Sequence, residues 1–399
     1  MDEKSLEKPR SGAQTRLIHG DAPLTRHGFV NPAVYHASTV LFPDTETMRG
    51  RRSKYIYGLR GTPTTDALEA ALDDLEGSAG TILLPSGLAA VTFPLLAFLS
   101  AGDHVLIVDS VYAPTRYFAD TVLRRMGVAV EYFDPAAAGA LASLMRPETK
   151  VVFLEAPGSN TFEMLDVAAA CAIAHAGGAV TMIDNTWATP LFFRPLDHGV
   201  DLSIHALTKY PGGHSDVMMG SVSANAATFA RLRDTQMSIG VNAAPDDTYL
   251  VLRGLKTMGV RLERHQTAAL QLAEWLEGRE EVARVLHPAL PSFPGHDLWK
   301  RQFSGASGLF SIVLRGGGVR EASAFLDTLR LFGLGYSWGG FESLALMVDL
   351  SDRVHAKATA EGPVIRLQIG LEDIADLKAD LERGFAAFAA LSRPDAPAP

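Results

Sequence analysis

Short apolar runs recur through the middle of the chain with helical stretches between them, and this alternation constrains the fold more than any other feature. Thr81 to Leu84, Val105 to Val108, Val151 to Leu154, Val180 to Ile183 and Leu202 to Ile204 are predominantly apolar, as strands buried on both faces are. Such strands separated by helices predict α/β architecture: a mainly parallel central sheet with helices on both faces. Ahead of them, Asp66 is a candidate N-cap with Glu69 three residues on. Leu68, Ala71, Leu72 and Leu75 share a face, and Gly77 supplies a stop.

A Leu- and Arg-rich helix is predicted from Asp247 to Leu272. Beyond it, Gly305 to Leu314, Phe341 to Met347 and Val364 to Ile369 read as strands, and Val319 to Leu331 and Ile374 to Leu391 as helices, making a smaller C-terminal α+β domain. Ser11 to Thr62 shows no period and is punctuated by Pro32, Pro43, Gly50, Gly58 and Gly61, which predicts an extended arm lying on a neighbouring subunit or wrapping its own domain. The expected organisation is an arm over 1–62, a cofactor-binding α/β domain over 63–252, the α+β domain over 253–392 and a flexible tail over 393–399. At 399 residues the chain exceeds one ordinary domain of about 100–200 residues.

Composition excludes several function classes. A formal charge of -9 opposes nucleic-acid phosphates, and the cluster Arg49, Arg51, Arg52 and Lys54 is too local to reverse it. The single cysteine, Cys171, cannot form an internal disulfide, fits a reducing compartment and reads as a buried small apolar residue. Met1 to Arg10 is charged, and no run approaches the ~18 apolar residues of a membrane span, so a cytoplasmic protein without a membrane partner is expected. No P-loop or GxGxxG is present, and His214-Ser215-Asp216 lacks a third ligand at useful spacing, so no metal is expected. His205 reads as structural.

Asp184-Asn185-Thr186-Trp187 closes one strand and Thr208-Lys209-Tyr210 follows another. Ligands of open α/β sheets bind at strand carboxyl ends. Either residue alone reads more simply as a surface lysine or a capping aspartate, but together they suit pyridoxal phosphate (PLP). The amine condenses with the aldehyde, and the carboxylate pairs with the ring nitrogen, keeping it protonated and electron-withdrawing. Leu84-Pro85-Ser86-Gly87-Leu88-Ala89-Ala90 adds a strand, a turn and a helix start whose free N–H groups can seat a phosphate. Tyr112, beyond the strand ending at Asp109, can lie on the ring and exchange a proton.

These segments, with Ala206-Leu207-Thr208-Lys209-Tyr210, Gly213-His214-Ser215-Asp216 and Tyr55-Ile56-Tyr57-Gly58, resemble the transsulfuration (Cys/Met metabolism) family of fold-type I PLP-dependent enzymes, from about Thr15 to Phe388. Within it, Tyr336-Ser337-Trp338-Gly339-Gly340, Glu155-Ala156-Pro157-Gly158-Ser159 and Ile365-Arg366-Leu367-Gln368-Ile369-Gly370 are most similar to the bacterial cystathionine β-lyases. The γ-acting members usually carry Glu-x-Pro-x-Asn. The resemblance implies that Lys209 is the Schiff-base and catalytic lysine, Asp184 the partner of the pyridine nitrogen and Tyr112 the stacking, proton-transferring ring. It also implies phosphate contacts from Gly87, Leu88 and Thr208, with Tyr57 reaching the phosphate of an adjacent subunit. Arg366 matches the grip on the substrate α-carboxylate, with Ser337 and Trp338 lining the site beside it. A homotetramer of dimers with shared active sites, acting on a small amino-acid substrate, is expected. The chain departs from the pattern twice. Leu59 stands where arginine is common, leaving Arg60 either to compensate at the phosphate or to meet the distal end of the substrate, and Met237 stands where close relatives tend to carry tyrosine.

Overall fold

The computed structural model describes residues 12–19, 29–355 and 361–392, and the tail expected over 393–399 lies outside them. A seven-stranded sheet is built from β1 (Gly80–Leu84), β2 (His104–Val108), β3 (Ala129–Phe133), β4 (Thr149–Glu155), β5 (Val180–Asp184), β6 (Leu202–His205) and β7 (Gly220–Ala224), in the order β1-β7-β6-β5-β4-β2-β3. All neighbours pair in parallel except at β7, which runs antiparallel to both β1 and β6. Each apolar run predicted as a strand is one of these, and β1, β2 and β6 are buried along their whole length.

The helix before β1 starts a turn earlier than Asp66. Pro63 occupies its first turn, and Thr62 caps it through reciprocal bonds with Thr65, a stronger start signal than Asp66. Asp66 lies inside that turn instead, accepting from Tyr55 Oη at 2.6 Å and pairing with Lys54 Nζ at 2.6 Å. Gly77 ends the helix in the left-handed conformation.

A second sheet holds β8 (Val282–Leu286), β9 (Leu309–Leu314), β10 (Gly333–Leu334), β11 (Leu344–Val348) and β12 (Val364–Gln368) in the order β10-β11-β12-β9-β8, antiparallel except for β10 with β11. The helix Pro245–Glu277 joins the two layers, extending beyond the predicted span at both ends. Its first half buries Val251, Leu255, Met258 and Leu262 against the helix Pro63–Glu76, while Ala268, Ala269, Leu272 and Leu276 enter the core of the second sheet. One helix stripe thus serves two cores, which fixes the second sheet against the first.

The segment before Thr62 is not extended throughout. Helix Ala13–His19 lies on its own chain, with Leu17 buried, Arg16 Nε 3.2 Å from Asp74 Oδ2, and Lys256 Nζ donating to Ile18 O. A second short helix, Thr45–Gly50, is capped by Asp44. Between and around them Phe29, Val30, Leu41 and Met48 stay exposed. Among the described residues no helix is long and apolar enough to cross a membrane, and no group of three or more His, Cys, Asp or Glu is placed to hold a metal ion.

Candidate active site

A cavity of about 320 Å³ opens at the carboxyl ends of β4, β5 and β6, bounded on its far side by Ser337, Trp338 and Arg366. One wall is the start of the helix Gly87–Phe98. Ser86 is its N-cap and accepts from Ala89 N at 3.1 Å, while the Gly87 and Leu88 amides have no acceptor among the described residues. Two free N–H groups at the positive end of a helix form an anion seat. Gly87 is glycine because Ala206 presses on it: a Cβ there would lie 2.5 Å from Ala206 Cβ.

Asp184 ends β5 with Oδ1 held by Thr186 N at 2.9 Å and Thr186 Oγ1 at 2.5 Å. Burial pushes its carboxyl up, against the bonds from Thr186 and the charge of Lys209. Thr186 Oγ1 also accepts from Ala206 N at 2.9 Å, tying the Asp184 loop to the turn that carries Lys209. Lys209 Nζ donates to Ser337 Oγ at 2.7 Å and sits 5.1 Å from the Trp338 ring centroid. Burial, then the like charge of Arg366, draw this amine down to about 8, with Asp184 opposing. Gly339, at φ +85, lets its loop lie directly on the Lys209 backbone, where a Cβ would come within 3.1 Å of Lys209 Cα.

Tyr112 follows β2 and donates its backbone N–H to Glu155 Oε2 at 2.7 Å. Glu155 ends β4 directly beside Asp184 in the ladder, and burial followed by the Asp184 charge pushes its carboxyl well above the usual range. Burial also raises the Tyr112 phenol, so it keeps its proton near neutrality. Arg366, on β12, donates to Asn160 Oδ1 at 3.1 Å and to Ser337 O at 3.2 Å. Burial draws its guanidinium down to about 10, leaving it charged at neutral pH.

The structure therefore brings Lys209, Asp184, Tyr112, Gly87, Leu88, Thr208, Ser337, Trp338 and Arg366 to one cavity. The Thr208 hydroxyl is engaged with the Met219 backbone, accepting from N at 3.0 Å and donating to O at 3.2 Å. Tyr57 and Arg60 do not line this cavity in their own chain; both are exposed, Tyr57 in an isolated bridge with Thr39. Leu59 and Met237 instead share a second cavity of about 70 Å³ with Glu69 and Arg233. Asn160 was absent from the sequence-based candidates and Glu155 entered only within a motif; neither acquires its contact until the strands are assembled. His205 is buried, and burial draws it down to about 3, which keeps it neutral.

An anion seat, a carboxylate with only one oxygen engaged among the described residues, a primary amine and an aromatic ring at one cavity fit the phosphate, ring nitrogen, aldehyde and ring face of PLP. Fold and site together define a PLP-dependent enzyme. The chain belongs to the Cys/Met metabolism PLP-dependent enzyme family, whose model matches residues 14–386. It is 63% identical over 396 residues to a Rhizobium johnstonii protein named "Putative cystathionine beta-lyase", covering 98% of this chain and 100% of that one. Identity to the Escherichia coli K12 cystathionine beta-lyase MetC is 43% over 371 residues, covering 90% and 94%. The solved cystathionine gamma-lyase from Lactobacillus plantarum, in complex with L-serine, superposes with a TM-score of 0.89 at 31% identity, covering 95% of this chain and all of that one.

Proposed function

We propose that this chain is a carbon–sulfur β-lyase that cleaves L-cystathionine to homocysteine, pyruvate and ammonia, a step of methionine biosynthesis. The observation that carries the reading is Lys209 Nζ, bonded to Ser337 Oγ in the cavity that also gathers Asp184, Tyr112 and Arg366. The named substrate of the 43% identical relative supports the choice of cystathionine.

Gly87 and Leu88 would hold the phosphate, Asp184 the ring nitrogen and Lys209 the aldehyde carbon. When bound, PLP supplies an electron sink for the negative charge left at Cα after deprotonation. Arg366, oriented by Asn160 and Ser337, offers the substrate α-carboxylate a planar fork. Lys209, whose amine burial draws down to about 8, would serve as the base at the substrate Cα proton. The Cβ–S bond breaks, and the thiolate takes a proton from Lys209 or from Tyr112, whose raised phenol remains protonated. With one water consumed, the three-carbon fragment leaves as pyruvate and ammonia.

The assembly in this reading is a cytoplasmic homotetramer of dimers in which Tyr57 and Arg60 reach a neighbouring site. The exposed Tyr57, Phe29, Val30 and Leu41 support it. Incubation of the pure protein with L-cystathionine tests the activity: pyruvate with homocysteine is expected, and 2-oxobutyrate with cysteine overturns β-cleavage in favour of γ-cleavage.

A further inference from the structure

The segment after β11, residues 349–355, crosses to the first sheet and grips the loops that carry the substrate-facing residues. Leu350 is buried in the first sheet's core, and Val354 N and His355 N donate to the Asp109 carboxylate at the end of β2, the latter at 2.7 Å. Arg116 Nη2 holds the same carboxylate at 2.6 Å. Between these anchors Arg353, almost wholly buried, donates to Ser159 O and to Thr161 Oγ1 and lies 3.6 Å from Glu163 Oε1.

Those two acceptors flank Asn160. The turn around it holds Asn160 at φ 64 and Phe162 at φ 62, a conformation that non-glycine residues rarely keep without outside support. Ser311 Oγ donates to Asn160 O at 2.7 Å, so the turn is pinned from β9 as well. The Asn160 side chain then accepts from Arg366 Nη1.

We infer that Arg353 is a positioning residue for recognition of the substrate α-carboxylate: it fixes the Ser159–Thr161 turn, the turn fixes Asn160, and Asn160 aims Arg366. The inference rests on the reading of Arg366 as the carboxylate grip. Arginine suits the place because its planar fork presents Nη1 and Nη2 in fixed geometry to acceptors on either side of Asn160, whereas an ammonium is a point charge on a flexible stem.

The test uses the holoenzyme and two probes read by the change in cofactor absorbance: L-alanine, which carries an α-carboxylate and no leaving group, and ethylamine, which has no carboxylate. Arg353→Lys should weaken L-alanine about tenfold and raise KM for L-cystathionine similarly, while ethylamine affinity and kcat stay within about threefold. Asn160→Ala should do the same, and the double variant should be no weaker than the poorer single one, because both act along one path. If Arg353→Lys does not fold, Thr161→Val removes one of the two acceptors and should show the same selectivity for L-alanine over ethylamine. Equal losses for both probes, or fully additive losses in the double variant, overturn the inference. Arg366→Lys separates the two levels: if it weakens L-alanine while the variants at 353 and 160 do not, only the positioning path fails. If Arg366→Lys leaves L-alanine binding unchanged, the carboxylate reading itself fails.

Discussion

Gly87→Ala is a one-atom test of the phosphate seat. Its Cβ would lie 2.5 Å from Ala206 Cβ and 3.2 Å from Ala206 Cα. Ordinary carbon contacts are about 3.5–4.0 Å, so the two backbones must part by about 1 Å. Ala206 is not free to yield, since its N–H donates to Thr186 Oγ1 and its carbonyl accepts from Lys209 N. If the helix end retreats, the Gly87 and Leu88 amides withdraw from the phosphate; if Ala206 retreats, the Lys209 turn moves. Either way at least one charge-assisted hydrogen bond to the cofactor is lost, about 1.5–3 kcal/mol, or roughly ten- to a hundredfold in PLP affinity. Titration of apo-protein with PLP, followed by absorbance, measures this directly. Gly139→Ala is the control, because a Cβ there meets nothing within 4 Å. PLP affinity within twofold of wild type in Gly87→Ala, with equal loss of thermal stability in apo- and holoprotein, would assign Gly87 to packing alone and refute the seat.

Borohydride treatment of the holoprotein should attach the cofactor to Lys209, and Lys209→Ala should abolish elimination while retaining some PLP through the phosphate and ring contacts; a label mapped to another lysine, or full activity in the variant, would end the mechanism. Asp380 accepts backbone N–H bonds from Arg330, Leu331 and Phe332 and a bond from Arg383; burial alone would raise its carboxyl, but these bonds outweigh it and hold the carboxyl below 3.8. Its stabilising contribution is therefore present above the unfolded value and lost as pH falls through the lower folded one, so Asp380→Asn should cost about 1.5–3 kcal/mol at pH 7 and flatten the acid limb of Tm against pH. An unchanged acid limb would assign acid unfolding to other groups. Leu59→Arg and Met237→Tyr should couple in a urea-denaturation cycle by about 0.5–3 kcal/mol, since both line one small cavity; additivity would show that they act on separate walls.

What the sequence made legible follows what local chemistry can encode. The central parallel strands announce themselves because burial on both faces demands apolar residues throughout. The sequence Gly220-Ser221-Val222-Ser223-Ala224 carries no such signal, although β7 is a fully buried strand paired on both sides. Its composition answers to a tertiary neighbour: a Cβ on Gly220 would strike Ser86 O at 2.5 Å, and Ser223 Oγ bonds Thr81 Oγ1 across the ladder at 2.7 Å. Asp184 was readable because it closes β5, and Lys209 because it lies on the turn just beyond β6, both at strand carboxyl ends of an open α/β sheet, whereas Arg366 was reached only through family resemblance. Arg353, from the segment after β11, meets the turn that carries Asn160 only after both sheets are assembled. Leu59 and Met237 show the same limit from the other side. As sequence departures they were noted separately, yet the fold sets them in one cavity beside the Glu69–Arg233 pair. Glu69 already accepts from both Arg233 Nη groups, at 3.1 and 2.8 Å, and burial lifts its carboxyl to about 7. An arginine at 59 would bring a second guanidinium toward a carboxylate whose two oxygens are already engaged by Arg233. Two apolar residues are compatible with that wall, and replacing only one of them leaves a polar group facing the apolar side chain of the other.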